Sequence, residues 1–546
     1  MAYIILLIMF FLLNLISALS LIFIERKEPT TTWAWLVILI ALPGVGLILY
    51  LLLGQNLSRQ KIFREKKLAD KIKRYKLRGT HELSNFSSDS EVNENYEDLI
   101  LMNYNHSGAI YTVGNEVKTY INGEDKFKDL FEDIRNAKCF IHIEYYIFRY
   151  DELGKALVNE LRKKAEDGLE IRLLIDGMGS KAITKNIIKE IESYGIKMAV
   201  FFPGILPHIN TRINYRNHRK IAVIDGKVGY VGGFNVGNEY VNKGKQFKFW
   251  RDTHIRIRGE AVNELNKRFI LDWDYAADEN MGNMFMYFPT PEKVGDVGIQ
   301  IVSSGPDHME EYIKNSYMKI INSAKNYVYI QTPYLVPDSP MLEALKISAL
   351  SGVDVRIIVP GEPDHFFMEW MLSANIGLLI EYGIKIYRYG NGFIHSKTIV
   401  ADGQVCSIGT ANLDIRSFKL NFEVNAFIYN EKVAKEQEKI FLDDQEKSKL
   451  VIKEEYDKRS KNLKIKEASD GNGGVFTSLR TTGMLADMKE RGVKWIFIGG
   501  VDNAILKMAD ITLLGMAIDK DVQIASKSVV KANPHERVGV FCKMNN

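Results

Sequence analysis

His218-Arg-Lys220-Ile-Ala-Val-Ile-Asp225, followed by Gly232 and Asn235, is the stretch from which this chain can be read. It recurs as His395-Ser-Lys397-Thr-Ile-Val-Ala-Asp402, followed by Gly409 and Asn412 at the same offsets. In both copies a short apolar run separates the Lys from an Asp-Gly pair, the pattern of a strand that ends in a turn. One His-x-Lys at a strand edge is ordinary. Two copies with matched downstream Gly and Asn are a repeat, and one that carries chemistry.

The residue types suit a phosphodiester. Such a group is anionic, so its charge must be offset before a nucleophile can approach, a task for Lys220 and Lys397. A neutral imidazole can attack phosphorus while a second, protonated one donates to the leaving alkoxide. His218 and His395 supply the two imidazoles. The amides of Asn235 and Asn412 can donate to non-bridging oxygens. No His-Glu-x-x-His run or Cys/His cluster is present, and neither a metal nor a cofactor is expected. Asp225 and Asp402 belong to the motif, but each precedes a Gly in an expected turn, so a structural role stands beside a chemical one. Gly232, Gly233 and Gly409 read as tight turns or as close backbone approach to the site. The repeated motif resembles the signature of the phospholipase D superfamily.

The repeat extends beyond the motifs. Ile134-Arg-Asn-Ala-Lys-Cys-Phe-Ile-His-Ile-Glu144 echoes Ile321-Asn-Ser-Ala-Lys-Asn-Tyr-Val-Tyr-Ile-Gln331. Gly168-Leu-Glu-Ile-Arg-Leu-Leu-Ile175 echoes Gly352-Val-Asp-Val-Arg-Ile-Ile-Val359, and Tyr194-Gly-Ile-Lys197 echoes Tyr382-Gly-Ile-Lys385. Strand-like runs (Phe140 to Ile147, Ile171 to Ile175, Val355 to Val359) alternate with helical patterns such as Gly154 to Ala165 and Pro340 to Ser351. The fold class expected is therefore α/β, with two pseudo-repeated lobes of mixed sheet flanked by helices. A length of 546 residues accommodates both. Cys139, Cys406 and Cys542 are too few and too scattered for a disulfide framework. A formal charge of +4 does not argue for nucleic acid, and none is expected as a partner.

Met1 to Ile24 and Trp33 to Gly54 carry no charged side chain, and each is long enough to cross about 30 Å of hydrocarbon as a helix. A transmembrane helical hairpin is expected. A cleaved signal peptide, with Ala18-x-Ser20 as its site, is disfavoured by the absence of a basic leader and by the second span that follows. Ten Lys/Arg between Arg59 and Arg78, against Arg26 and Lys27 in the inter-helix loop, place the catalytic region in the cytoplasm. The same basic segment can attract anionic headgroups or serve as a topology signal only. Glu82 to Asp98 is acidic and rich in Ser and Asn, and reads as an exposed linker. The expected domains are 1–58 for the hairpin, 59–100 for the basic segment and linker, 101–290 and 291–466 for the two lobes, and 467–546 for a distinct terminal segment.

From Met1 to about Lys466 the chain looks like the bacterial cardiolipin synthases. The passages that carry the likeness include Glu25-Arg-Lys-Glu-Pro-Thr-Thr-Thr-Trp-Ala-Trp35, His142-Ile-Glu-Tyr-Tyr-Ile147, Trp250-Arg-Asp-Thr-His254, Gln331-Thr-Pro-Tyr334 and Gly409-Thr-Ala-Asn-Leu-Asp-Ile-Arg-Ser-Phe418, continuing to Asn421-Phe-Glu-Val-Asn425. The resemblance implies transfer of a phosphatidyl group from one phosphatidylglycerol to the hydroxyl of another, with release of glycerol. It implies His218 as the nucleophile that forms a phosphohistidine, and His395 as acid and then base. Asp252 and Glu423 resemble the acids that orient the imidazoles, fix their tautomer and favour the imidazolium form. Anionic membrane lipid is the partner implied.

After Lys466 a different resemblance begins. Asp470-Gly-Asn-Gly-Gly-Val-Phe476, Trp495-Ile-Phe-Ile498, Gly500-Val-Asp-Asn503 and Ala525-Ser-Lys-Ser-Val-Val530 look like part of a UDP-sugar pyrophosphorylase. The Gly-rich nucleotide loop that opens that family's core is missing, and about 77 residues hold only two or three βαβ elements. A truncated fusion is the expected reading. Three classes of function thus stand: a membrane-bound phosphatidyltransferase, a phospholipase or nuclease that uses water as acceptor, and a membrane-anchored nucleotide-sugar binding protein.

Overall fold

The computed structural model describes residues 29–42, 45–50, 91–202, 214–281, 284–308, 310–364, 366–453, 456 and 484–492, together with 13, 16, 18 and 19. Among the described residues the first lobe contributes seven strands of four residues or more: β1 (Tyr111–Tyr120), β2 (Phe140–Tyr145), β3 (Glu170–Asp176), β4 (Lys197–Phe201), β5 (Lys220–Ile224), β6 (Val228–Gly232) and β7 (His254–Arg258). The second repeats the set with β8 (Val297–Ser304), β9 (Tyr327–Gln331), β10 (Asp354–Pro360), β11 (Lys385–Tyr389), β12 (Thr398–Ala401), β13 (Val405–Gly409) and β14 (Asn421–Tyr429). Strand order in the first lobe is β1-β7-β6-β5-β2-β3-β4, and in the second β8-β14-β13-β12-β9-β10-β11. The two orders are the same. Antiparallel pairing of β1 with β8, Tyr111 opposite Gln300, joins them into one continuous sheet.

Within each lobe β2-β3-β4 and β9-β10-β11 run parallel, whereas β5-β6-β7 and β12-β13-β14 form antiparallel meanders. The parallel strands demand crossover helices, and the sequence supplies them. Asp151 caps the helix Glu152–Glu166 by accepting from the Gly154 amide, and Leu153, Leu157 and Leu161 recur on its buried face. Asp338 does the same for Ser339–Leu350, with a proline in the first turn. Strand β5 is buried along its whole length, as a Lys-Ile-Ala-Val-Ile run covered on both faces should be.

Three clusters of buried apolar side chains hold the layers together. One lies under the outer helices of each lobe. The third draws on both lobes and includes Val262, Leu265 and Phe269 of the helix Ala261–Ala277 with Val433, Ala434 and Phe441 of the helix Glu431–Glu446. Each fully buried residue of that size stabilises by roughly 1.5–3 kcal/mol, so the lobes share a core as well as a sheet.

One expectation shifts. The segment read as a linker up to Asp98, with a domain limit at 100, is helical over Glu91–Asn95 and Glu97–Ser107. Val92, Tyr96, Leu99 and Ile100 bury into the second lobe's core, because they share one helical face among acidic and amide residues. The first 456 residues form one compact unit and 457–546 another. Among the described residues no helix is long and apolar enough to cross a membrane. The helix Pro29–Ala41 is apolar, but its 13 residues rise only about 20 Å. The first expected span and the basic segment lie almost wholly outside the described residues, as does most of the terminal segment, of which Met484–Glu490 is a helix. Cys139 and Cys406 are free thiols.

Candidate active site

Each motif histidine sits just before its strand and is held there by the other lobe. The pair Arg216–Asn217 lies parallel to Asn421–Phe422, and the His218 amide donates to the Phe422 carbonyl at 2.9 Å. In the mirror arrangement Phe393–Ile394 lies parallel to Trp250–Arg251, and the His395 amide donates to the Arg251 carbonyl at 2.7 Å. The backbones therefore cross over at the site.

The carboxylates cross as well. His218 Nδ1 lies 2.9 Å from Glu423 Oε2, and His395 Nδ1 lies 2.7 Å from Asp252 Oδ2. Both carboxylates are fully buried, whereas each histidine keeps 8 % of its surface exposed. A carboxylate at Nδ1 holds the proton there and leaves the Nε2 lone pair available for reaction. Asn421 Nδ2 donates to Glu423 and the Thr253 amide to Asp252, which fixes the acids in turn. Gly233 is required by this packing, since a Cβ there would lie 1.9 Å from Asp252 Oδ1.

Lys220 and Lys397 lie beside the same imidazoles. Lys220 Nζ donates to the His218 carbonyl at 2.7 Å, and Lys397 Nζ donates to the His395 carbonyl and lies 2.8 Å from His395 Nδ1. Burial pulls both imidazoles down to about 4, with the lysine cations adding to the effect and the carboxylates opposing it. Glu423 and Asp252 each favour the imidazolium, but in the unliganded site desolvation outweighs one carboxylate per ring. Burial also lowers Lys220 to about 7 and Lys397 to about 8. It works against ionisation of Glu423 and Asp252, yet their histidine and lysine neighbours hold both below the usual carboxylate range.

A pH profile follows with a definite sign. A depressed lysine loses its cation as pH rises through its folded value, so kcat/KM should fall above about 7 to 8. The nucleophile His218 is lost to protonation only below about 4, which puts the acid limb there. Bound phosphate favours the cations, so the alkaline limb of kcat should lie higher than that of kcat/KM. Initial rates across pH at low and saturating lipid check this, and identical limbs for both parameters would count against it.

Asp225 and Asp402 are not at the imidazoles. The Asp225 carboxylate accepts from the amides of Lys138, Cys139 and Phe140 at 2.8, 2.7 and 3.0 Å, and Asp402 accepts from Lys325, Asn326 and Tyr327 at 2.7, 2.9 and 2.8 Å. Of the two roles open to them this geometry favours the structural one, because three bonds from each carboxylate secure the start of β2 and β9. Both adopt left-handed backbone, φ 54° and 51°, which Asp tolerates better than most residues. Asp225→Ala should cost about 2–4 kcal/mol of stability through lost charge-assisted bonds, read as a lower melting temperature in detergent. The protein that stays folded should keep its kcat.

Asn235 is buried, accepting from the Ile147 amide at 3.0 Å and donating to Tyr240 Oη at 3.2 Å, so one of its amide hydrogens is already used. Asn412 is also buried, and its Oδ1 has no hydrogen-bond partner among the described residues.

Several residues about the site gave little sequence signal. Arg219, between the motif His and Lys, is buried and bonds Asp272 at 2.6 Å and the Glu423 and Ser304 carbonyls. Arg251, beside Asp252, pairs with Asp444 at 2.7 Å. The available clue was a charged residue inside a buried run. Burial and Asp272 push Glu144 up to about 8, which favours its neutral form, the one closer in chemistry to Gln331, its counterpart in the repeat. The Tyr146 ring lies edge-on to His218 at 4.8 Å, and the Trp250 ring lies 5.3 Å from His395.

The family model for the phospholipase D-like domain of cardiolipin synthase matches residues 130–273 and 317–445, together half of the chain and one stretch in each lobe. A cardiolipin synthase of Clostridium perfringens is 49% identical over 450 residues, covering 82% of this chain and 94% of the relative. This chain belongs to the cardiolipin synthase family. Another cardiolipin synthase, from Staphylococcus aureus, is 48% identical over 463 residues, covering 84% of this chain and 93% of that protein. A phosphatidylserine synthase structure from Haemophilus influenzae superposes with a TM-score of 0.51 at 16% identity, over 66% of this chain and 92% of that one, which shows the shared fold. The model for the phospholipase D-nuclease N-terminal region matches 12–55. The model for UTP–glucose-1-phosphate uridylyltransferase matches 415–546. Residues 415–445 are thus matched twice, and the structure builds them into the second lobe as β14 and its flanking helices.

Proposed function

We propose that this cardiolipin synthase family member transfers a phosphatidyl group between two phosphatidylglycerol molecules. His218 Nε2 attacks the phosphorus of the first. The P–O bond to the terminal glycerol breaks, and His395, protonated in the complex, gives its Nε2 proton to the departing alkoxide. The terminal hydroxyl of the second phosphatidylglycerol then attacks the phosphohistidine, its proton passes to His395, and the P–N bond returns its electron pair to His218. The products are cardiolipin and glycerol. Lys220 and Lys397 offset the charge that accumulates on the non-bridging oxygens, with Asn235 and Asn412 beside them.

The observation that supports this reading is the pair of His–carboxylate dyads completed across the lobes, one for each imidazole role. Incubating the full chain with labelled phosphatidylglycerol in mixed micelles tests it. Cardiolipin and glycerol should appear in equal amounts, and phosphatidic acid as the sole lipid product would replace a transferase by a hydrolase.

The same proposal anchors the enzyme in the cell membrane by two helices, Met1 to Ile24 and Trp33 to Gly54, with the catalytic lobes on the cytoplasmic side. The uncharged stretches and the basic run from Arg59 support it. The segment from Asp470 is proposed to be a passenger, because both dyads lie upstream of Tyr456. Ending the chain before Asp470 should leave cardiolipin formation and thermal stability largely intact, measured side by side with the full chain. A large loss of both would make the segment part of the working fold.

A further inference from the structure

Two arginines from opposite lobes flank the site and have no part in the chemistry above. Arg216 lies two residues before His218, on the short strand that pairs with Asn421–Phe422. Arg416 stands in the first turn of the helix Ile415–Lys419, two residues after its capping Asp414. Its guanidinium reaches across to the Asn214 carbonyl at 3.1 Å, next to the Arg216 segment. Both guanidinia act on the Tyr146 hydroxyl, whose ring abuts His218 and lies under Lys220 Nζ, 5.3 Å from the centroid. Each also lies within the other's field, since Arg416 adds to the lowering of Arg216 that burial begins.

Neither guanidinium forms an ion pair with a carboxylate among the described residues. The nearest candidate, Asp176, has its oxygens taken by the amides of Met178, Gly179 and Asn217 at 2.9, 2.9 and 2.8 Å. Two cations side by side, with the field of Asp176 acting on Arg216 as the one carboxylate against them and with no direct ion pair, leave a net positive charge that an anion would complete. The planar fork of arginine suits a phosphate oxygen pair in particular.

We propose that Arg216 and Arg416 form the subsite for the phosphate of the acceptor lipid. The inference rests on the transferase reading above and deepens it. While the donor phosphoryl is bound to His218 between Lys220 and Lys397, the incoming phosphatidylglycerol brings a second phosphodiester a few bonds from its attacking hydroxyl. Water brings none. A cationic pair beside the first phosphate therefore favours an anionic lipid over water as the acceptor.

The test is a partition experiment with full-length protein in phosphatidylglycerol micelles containing a fixed level of a short neutral alcohol. The phosphoenzyme divides among phosphatidylglycerol, water and the alcohol, and the product ratio does not depend on how much enzyme is folded or how fast the first step is. In Arg216→Ala and in Arg416→Ala the ratio of cardiolipin to the alcohol product should fall about tenfold or more, and Arg→Lys at either position should lose less. A wild-type enzyme that forms no cardiolipin would defeat the transferase reading itself. Wild-type cardiolipin formation with unchanged ratios in the variants would defeat the subsite alone. Slower turnover at an unchanged ratio would assign the arginines a structural role, and reduced vesicle binding at an unchanged ratio would assign them to the bilayer surface; either result overturns the proposal.

Discussion

His218→Ala should abolish cardiolipin formation, and His395→Ala should do the same, each lowering kcat by about 10⁴-fold or more. The size follows from their roles, since no other buried group can form the phosphoramidate or protonate the alkoxide in its place. The two variants should differ in what they trap. Rapid quenching with labelled lipid should find no phosphohistidine in His218→Ala, but should find it in His395→Ala once slow attack has occurred. Groups that act as a unit are not additive, so the double variant should lose little beyond either single one. Near wild-type turnover in either single variant would refute a shared site. Melting curves that match the parent exclude misfolding, because both side chains lie at the rim of the core rather than inside it.

The second large effect comes from the crossed carboxylates. Glu423→Gln and Asp252→Asn keep the shape of the side chain but remove the charge that holds the proton on Nδ1 and introduce an NH2 that can donate to Nδ1 instead. Loss of the correct tautomer in comparable His–carboxylate pairs costs about 10³ to 10⁴ in kcat, and a similar loss is expected here. The crossing sharpens the prediction. Glu423, in the second lobe, serves His218, so its amide should impair formation of the phosphoenzyme. Asp252, in the first lobe, serves His395, so its amide should impair leaving-group departure and the second attack. Single-turnover kinetics separate the two steps. Were Glu423→Gln to affect only the second step, the roles of the two imidazoles would be exchanged. Full activity in both would mean that the dyads do not orient the rings.

Much of the architecture was legible because its signals are local. The β-branched runs at Phe140, Ile171 and Val355 became β2, β3 and β10, and the apolar periodicity after Gly154 and Pro340 became crossover helices. The stretch up to Asp98 was misread because composition outweighed spacing: Val92, Tyr96, Leu99 and Ile100 share one face, but four apolar residues among acids and amides resemble a linker until a core is there to receive them. Asp225 and Asp402 show the converse. Their place in the motif suggested chemistry, yet a carboxylate that ends a strand in a left-handed turn next to free amides is satisfied by them first.

By itself the sequence determined the inventory: two lobes of like order, two imidazoles, two lysines and two amides, identifiable because they recur at fixed offsets along the chain, and two acids, Asp252 and Glu423, that only the family resemblance singled out. Only the tertiary structure decided how these are shared. Glu423 and His218 are 205 residues apart and Asp252 and His395 are 143 apart, and no periodicity encodes a contact at such distances. Which acid meets which ring is set by the two short parallel pairings that cross between the lobes. The protonation of the rings was likewise undetermined, because it is a balance between burial and charge that exists only once the core has closed around them. In this fold burial prevails, and it lowers both imidazoles to about 4 against the pull of their carboxylates.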